Sequence, residues 1–301
     1  MTVSESEPLI RHHKLLQSYY ASLESRVGYR FILGGTRHFG YYDTGTWWPF
    51  PIGSALRKME DRLFETLNLP PGSTVLDAGC GYGHVAMRMA QGGLKVRAID
   101  LVDRHIAHAR SNVAAAGLEK TITVQKADFH HLDDFRSESL DGVYAMETTV
   151  HATDARKVLN EYFRLLKPGG SIALFEYEHS VPPDAPEEMV KMFGQVNKYA
   201  AMPANIEFEE GTFPGLLEEI GFQDVEVSDL SENVKPMLRL FFVLAYIPYL
   251  IIRCFGLEAR FINCVAAIVA YRYFSFHRYA AVRASKPTSG NTSPVEPKKI
   301  Q

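Results

Sequence analysis

With 301 residues, of which 46% are apolar, 22% charged and 12% aromatic, the chain has a globular composition and enough apolar side chains for a sizeable core. This excludes disordered, collagen-like and disulfide-scaffold classes. A formal net charge of −3, from 32 basic and 35 acidic residues, gives no overall electrostatic footprint for nucleic acid, and no nucleic-acid partner is expected. Cys80, Cys254 and Cys264 are too scattered for a metal cluster or a disulfide framework, so the expectation is a reduced, intracellular, cytoplasmic protein without a metal. Met1 to Pro8 is polar and acidic and lacks the apolar segment of a signal peptide. Without one, the sequon Asn291-Thr292-Ser293 carries no weight.

The averages conceal an asymmetry. Ten of the aromatic residues lie between Tyr19 and Phe50 and eleven between Phe241 and Tyr279. Lys235 to Lys286 holds eight Lys or Arg against Glu258 alone, a charge of +7 on a body of −10.

In chain order, residues 1–50 read as an aromatic helical arm or lid. Residues 51–235 form the core, within which Ser73 to Asp229 alternates short β-branched apolar runs with helical stretches, the pattern of βα units and a parallel sheet. The strands are expected at Thr74 to Ala78, Lys95 to Asp100, Ile122 to Gln125, Leu140 to Ala145, Ser171 to Glu176 and Asp224 to Ser228. A helix from Val158 to Leu166 should stop at Lys167-Pro168-Gly169-Gly170, which cannot continue it and suits a tight turn. Another, Leu216 to Ile220, should stop at Gly221. Residues 236–276 form an apolar helical insertion, 277–285 a final strand around Arg278 to Arg283, and 286–301 a tail rich in Pro, Ser, Thr and Lys without periodicity. The predicted fold is α/β: a Rossmann-like, seven-stranded, mostly parallel sheet with helices on both faces and the insertion before the last strand.

The most informative run is Val75-Leu76-Asp77-Ala78-Gly79-Cys80-Gly81-Tyr82-Gly83, an apolar strand, an acid, and three alternate glycines before a helix from His84. Glycines there let the backbone approach a ligand and turn into the helix N-terminus. A dinucleotide fingerprint needs its third glycine at position 84, which is histidine. Asp100, at the end of the second strand, is placed to accept ribose hydroxyls, because strand ends of an open parallel sheet converge on the crevice.

The acid two residues before G-x-G-x-G resembles the cofactor loop of class I S-adenosylmethionine-dependent methyltransferases. Ala127-Asp128-Phe129 resembles the position where those enzymes bond and pack the adenine. The resemblance implies S-adenosylmethionine as cofactor, with S-adenosylhomocysteine as product, held by Asp77, Gly79, Cys80, Gly81, Gly83, Asp100, Leu101, Ala127, Asp128, Phe129 and Met146.

After the fourth strand, Glu147-Thr148-Thr149-Val150-His151 together with Lys167-Pro168-Gly169-Gly170 and Phe175-Glu176-Tyr177 is similar to sterol 24-C-methyltransferases. Thr36 to Asp43 resembles a His-x-Gly-aromatic segment of tocopherol-type methyltransferases. Leu33 to Arg37, however, carries no counterpart of the acidic signature near the sterol enzymes' N-terminus. Methyl transfer is an in-line displacement for which alignment in a dry pocket supplies much of the rate. A base is needed only for an acceptor that loses a proton, and His151 and His38 are the candidates. For His151 the alternative is a helix cap or core packing, and for His38 the ordering of a lid. Glu147 either contacts the methionine portion of the cofactor or stabilises a positive acceptor. His130-His131 beside Asp133-Asp134 reads as a solvated loop.

In the insertion, Leu240 to Ile252 is a 13-residue apolar run, short of the roughly 18 to 20 residues of a membrane span. It can form cap helices over a lipophilic pocket, a peripheral membrane-interface surface or a homodimer interface. Together these features predict transfer of a methyl group to a small lipophilic acceptor of terpenoid, sterol-like or polyketide-like type, in secondary metabolism. The alternatives are a lipid C-methyltransferase at a membrane surface, a non-catalytic scaffold, and an enzyme that uses only the charge of bound S-adenosylmethionine to promote a rearrangement or cyclisation.

Overall fold

A computed structural model describes residues 14–288 except 23, 26, 27 and 29–31. The signal-peptide and sequon expectations, and the tail from 289 onward, lie outside the described residues. The strands are β1 (Thr74–Ala78), β2 (Lys95–Asp100), β3 (Ile122–Lys126), β4 (Leu140–Met146), β5 (Leu166–His179), β6 (Gln223–Asp229) and β7 (His277–Ser285). They form one sheet in the order β3-β2-β1-β4-β5-β7-β6. Only β7 runs antiparallel to its neighbours. The predicted seven-stranded, mostly parallel sheet is what the chain forms.

The helices are α1 (Lys14–Ala21), α2 (Ile52–Leu67), α3 (His84–Gln91), α4 (Asp103–Ala115), α5 (Ala155–Leu165), α6 (Glu187–Tyr199), α7 (Thr212–Ile220), α8 (Ser231–Cys254) and α9 (Ile262–Arg272). They cover both faces of the sheet. α5 shows why: Asp154 caps it by accepting from Lys157 N at 2.8 Å, and Ala155, Val158, Leu159, Tyr162 and Leu165 form one buried stripe. That stripe joins α7 in the core on one face, while α2, α3, α4 and the start of α8 close the other.

The structure corrects two boundaries. Lys167-Pro168-Gly169-Gly170 is a bulge inside β5, not a turn before it: Leu140 pairs with Leu166, and the register then jumps to Gly142 with Ser171. Gly169 sits at φ +79° there, and Lys286 clamps the bulge through Gly169 N to its carbonyl and its own N to Gly170 O. The first residue of the expected tail therefore follows β7 directly and is bonded to the β5 bulge. The insertion also starts five residues earlier than expected, because Pro236 lies inside α8. Pro236 stands past the first turn, so the helix carries it with one amide donor missing from its ladder.

α8 is a 24-residue helix, long and apolar enough by length and composition to cross a membrane. Its first half packs into the core through Val234, Met237 and Leu238, Ala245 and Tyr249 continue against α9, and Ile252 is buried as well. Val243, Ile247 and Ile251 are exposed.

Candidate active site

The C-terminal ends of β1, β2 and β4 and the segment after β3 converge on one cavity. It brings together His38, Asp77, Gly79, Cys80, Gly81, Asp100, Leu101, Ala127, Asp128, Phe129, Met146, Glu147 and His151. Gly83 is the exception: it stands at the helix start, where an added Cβ would meet Ala109 at 3.4 Å.

The glycine loop is shaped by contacts that exclude side chains. Gly79 adopts φ +94°, and a Cβ there would lie 2.6 Å from Thr148 Cγ2. Thr148 is fixed in turn by its hydroxyl donating to Ala78 O at 2.6 Å. Asp100 braces the loop, accepting from Gly81 N at 2.9 Å and Val102 N at 2.8 Å. His105 Nδ1 lies 3.1 Å from both of its oxygens. Burial opposes its charge, but His105 and the two amides outweigh that and hold its pKa below the usual value. Ribose hydroxyls at Asp100 would share oxygens already in use.

Asp77 differs. Its Oδ2 is buried without a hydrogen-bond partner, and burial pushes its pKa up to about 7, with nearby Asp100 adding to the rise and Tyr144 and His38 opposing it. A buried carboxylate lining a cavity with spare acceptor capacity suits a cationic ligand. With the glycine loop, whose Gly79 and Gly81 line the same cavity at positive φ, these residues fit S-adenosylmethionine. Asp128 faces the cavity too, with its Oδ1 accepting from His130 N at 2.9 Å and lying 2.6 Å from His130 Nδ1. His130 is therefore a buried brace, which corrects the solvated-loop expectation. Its Nε2 lies 3.1 Å from Thr153 N, as acceptor.

Neither candidate base is idle. His151 Nδ1 donates to Ala201 O at 2.7 Å, which leaves Nε2 to accept from the Tyr20 hydroxyl at 2.9 Å. His38 Nδ1 donates to Phe39 O at 2.8 Å, and its Nε2 lies 3.4 Å from Glu60 Oε1 on α2. Burial works against its charge, but Glu60 and the Phe39 carbonyl overcome it and raise its pKa. These contacts anchor the arm, as the lid alternative for His38 requires.

Several residues that the sequence motifs contain take roles in the site that the motifs did not assign. Arg37 lies 4.8 Å from the ring centroids of both Tyr20 and Tyr82 and so sits over the loop. Glu176 is buried, accepts from Thr148 N at 3.1 Å and Thr149 N at 2.6 Å, and is pushed up to about 8 by burial. The repeated aromatics of the arm were a signal for Tyr20. Nothing local marks the roles of Glu176 and Thr148, whose partners lie 28 and 70 residues away.

Glu147 occupies the boundary with a second cavity. It takes a left-handed φ of +56°, unusual for a residue with a side chain. Its Oε1 accepts from Phe39 N at 2.7 Å and from the Tyr279 hydroxyl at 2.8 Å, and its Oε2 accepts from the Tyr177 hydroxyl. Burial raises its pKa despite these donors. Phe39, Tyr177 and Tyr279 line a space of about 380 Å³ that no residue of the first cavity lines. Its walls come from the arm, α6, α8, α9, β5 and β7, and are mostly apolar. Part of the aromatic excess of both chain ends thus meets here, with Phe39 and Phe241 ring centroids 6.0 Å apart. Trp47 and Trp48 do not take part and are exposed.

Comparison with known proteins agrees with this geometry. Residues 76–174 match the family model described as a methyltransferase domain. The chain is 41% identical over 278 residues to the S-adenosyl-L-methionine-dependent Diels-Alderase iccD of Talaromyces variabilis, covering 91% of this chain and 95% of that one. The chain belongs to the class I S-adenosylmethionine-dependent methyltransferase superfamily.

A second relative within that superfamily, the S-adenosyl-L-methionine-dependent Diels-Alderase iliD of Neonectria sp. (strain DH2), is 45% identical over 223 residues, covering 73% of this chain and 86% of the relative. Among solved structures, the [4+2]-cyclase SpnF superposes with a TM-score of 0.66 at 21% identity over 93% of this chain and 94% of that one, a likeness of fold. The protein is accordingly an enzyme of methyltransferase fold that binds S-adenosylmethionine. With Diels-Alderases among the relatives, membership of this superfamily does not by itself assign methyl transfer to the chain.

Proposed function

We propose that this enzyme catalyses an intramolecular [4+2] cyclisation of a lipophilic polyene bound in the second cavity, with S-adenosylmethionine retained and not consumed. The observation that carries the reading is the wall of Glu147, Phe39, Tyr177 and Tyr279, which stands between the cofactor cavity and the apolar one. The two Diels-Alderase relatives support it.

Cyclisation asks little of side-chain chemistry. In the substrate two new carbon–carbon σ bonds replace two π bonds, no atom leaves and no proton moves, so no base is required. This fits His38 and His151, which line the other cavity and are held by Glu60, Phe39, Ala201 and Tyr20. The chain's contribution is to hold a flexible polyene folded with its reacting ends together. Aromatic faces of Phe39, Phe241 and Tyr279 and the small side chains of Ala266, Ala267 and Ala270 supply an apolar mould. Pre-ordering of this kind removes entropy from the barrier. When bound, S-adenosylmethionine supplies a fixed positive charge that can polarise a nearby π system.

The test is to offer protein loaded with isotopically labelled S-adenosylmethionine a set of linear polyene fractions and to analyse the products by mass spectrometry. The expected product has the mass of its substrate, without label, and no S-adenosylhomocysteine accumulates. A labelled product that has gained a methyl group, with stoichiometric S-adenosylhomocysteine, overturns the reading in favour of methyl transfer to a lipophilic acceptor.

A further inference from the structure

The three donors to Glu147 come from three separate parts of the chain: Phe39 N from the arm, the Tyr177 hydroxyl from β5 and the Tyr279 hydroxyl from β7. All three residues line the apolar cavity, whereas Glu147 itself lines the cofactor cavity. One carboxylate therefore fastens one wall of one site while facing the ligand of the other. The wall is also packed as a unit, since the rings of Phe39, Tyr177 and Tyr279 meet edge to face at 5.8 to 6.0 Å. The backbone at Glu147 is held out of the common regions at φ +56°, which persists only where surrounding contacts over-determine it. Here Glu147 N donates to Phe175 O at 2.8 Å, and Glu176, the next residue of β5, holds the amides of Thr148 and Thr149.

We propose that Glu147 is a positioning residue that couples the two cavities, so that S-adenosylmethionine in the first tightens binding of an apolar ligand in the second. The physical basis is the charge state of a buried carboxyl. An ionised carboxylate accepts from all three donors and holds the wall in one arrangement, and a neutral carboxylic acid holds them more weakly. A cation in the adjoining cavity favours the ionised form. An apolar ligand then meets a wall already ordered and loses less entropy on binding. The coupling is reciprocal, so the apolar ligand tightens S-adenosylmethionine by the same factor. S-adenosylhomocysteine, which lacks the sulfonium charge, should couple less.

This inference rests on the proposed occupancy of the second cavity by an apolar ligand, but not on the reaction carried out there. The probe is Nile red, an uncharged lipophilic dye, titrated by fluorescence into the full chain alone, with saturating S-adenosylmethionine, and with saturating S-adenosylhomocysteine. For the unaltered protein the expected result is a Kd lowered about tenfold by S-adenosylmethionine, within the range usual for coupled sites, and lowered less by S-adenosylhomocysteine. In Glu147→Gln both ligands still bind, but the difference between the two cofactor forms disappears. Tyr177→Phe and Tyr279→Phe, which keep the ring and remove one donor each, give intermediate coupling and guard against a misfolded Glu147 variant. A purely structural role would weaken dye binding equally with either cofactor form. That result, or equal coupling in all variants, or binding of both ligands without coupling in the unaltered protein, overturns the proposal. Failure of Nile red to bind at all overturns it together with the lipophilic-cavity reading, whereas absence of cyclised product with coupling intact overturns only the proposed reaction.

Discussion

Asp77 is the residue whose chemistry is most exposed to test. Burial raises its carboxyl from 3.8 to about 7, so in the ligand-free protein it is half neutral near neutral pH. A cationic ligand prefers the ionised form, and acidification must then compete with binding. We expect S-adenosylmethionine affinity, measured by calorimetry, to be level above pH 8 and to fall below pH 7 by up to about tenfold per unit, with Asp77→Asn weaker at high pH, lacking this pH-dependent step and meeting the unaltered protein at low pH. The same group acts on folding with a definite sign. Its folded pKa lies above its unfolded value, so it favours the folded state fully below pH 3.8, and that contribution is lost as pH rises through about 7. Gly79→Ala should be more damaging than its size suggests, because it combines φ +94° with a 2.6 Å approach to Thr148. A loss of at least about tenfold in cofactor affinity is expected, by displacement of the loop. Asp77 and Gly79 were legible in the sequence because acid, glycines and strand follow one another within nine residues. Glu147 was legible as a candidate, but its role was not: its partners lie 30, 108 and 132 residues away, a relation that only the folded sheet creates.

At the scale of elements, strands were readable wherever a β-branched run ended in a glycine or an acid, and β1 and β2 have the expected bounds. β5 was misjudged because its bulge uses the proline and glycines that ordinarily separate elements, and α8 because its early proline looked like a boundary. The two helices of the insertion also divide by face. Ile268 of α9 is fully buried between α6 and α8, whereas Ile247 of α8 is 63% exposed. In urea denaturation, Ile268→Ala should cost about 2 to 5 kcal/mol, and Ile247→Asn no more than about 0.5 kcal/mol. A third substitution reads function and not stability. Ala270 lines the apolar cavity on α9, and Ala270→Leu puts the added atoms into a space of about 380 Å³. It should weaken Nile red binding and slow turnover several-fold, while S-adenosylmethionine titrates as before. Equal loss at both sites would place Ala270 in the packing of the fold and not at the cavity.

For the whole molecule, the charge asymmetry of the sequence is offset in part by ion pairs made across the fold. Arg253 pairs with Glu188, Arg278 lies within 3.5 Å of Glu178, Glu210 and Asp229, and Lys286 meets Glu138. These three cations of the C-terminal segment meet acids drawn from the body, which the linear sequence counts as a separate, negative region. Arg239 adds a tie to the arm, stacking 3.6 Å over Trp47. Arm, insertion and cofactor-binding sheet are thus joined around the two cavities, and a ligand held in the first should stabilise all three together. Stabilisation by mass action depends only on saturation: at a hundredfold excess over Kd, S-adenosylmethionine adds about 2.7 kcal/mol to unfolding. For a chain of this size that corresponds to a rise in Tm of roughly 4 °C. If the cavities share a wall as proposed, Nile red added on top of S-adenosylmethionine should raise Tm by more than the sum of the two separate rises, and in Glu147→Gln by no more than that sum. Calorimetry should also record one transition, because the parts that close the cavities are the parts the ligands hold together. Two resolved transitions, with only the earlier one moved by ligand, would mean that the arm and insertion melt as a unit apart from the sheet.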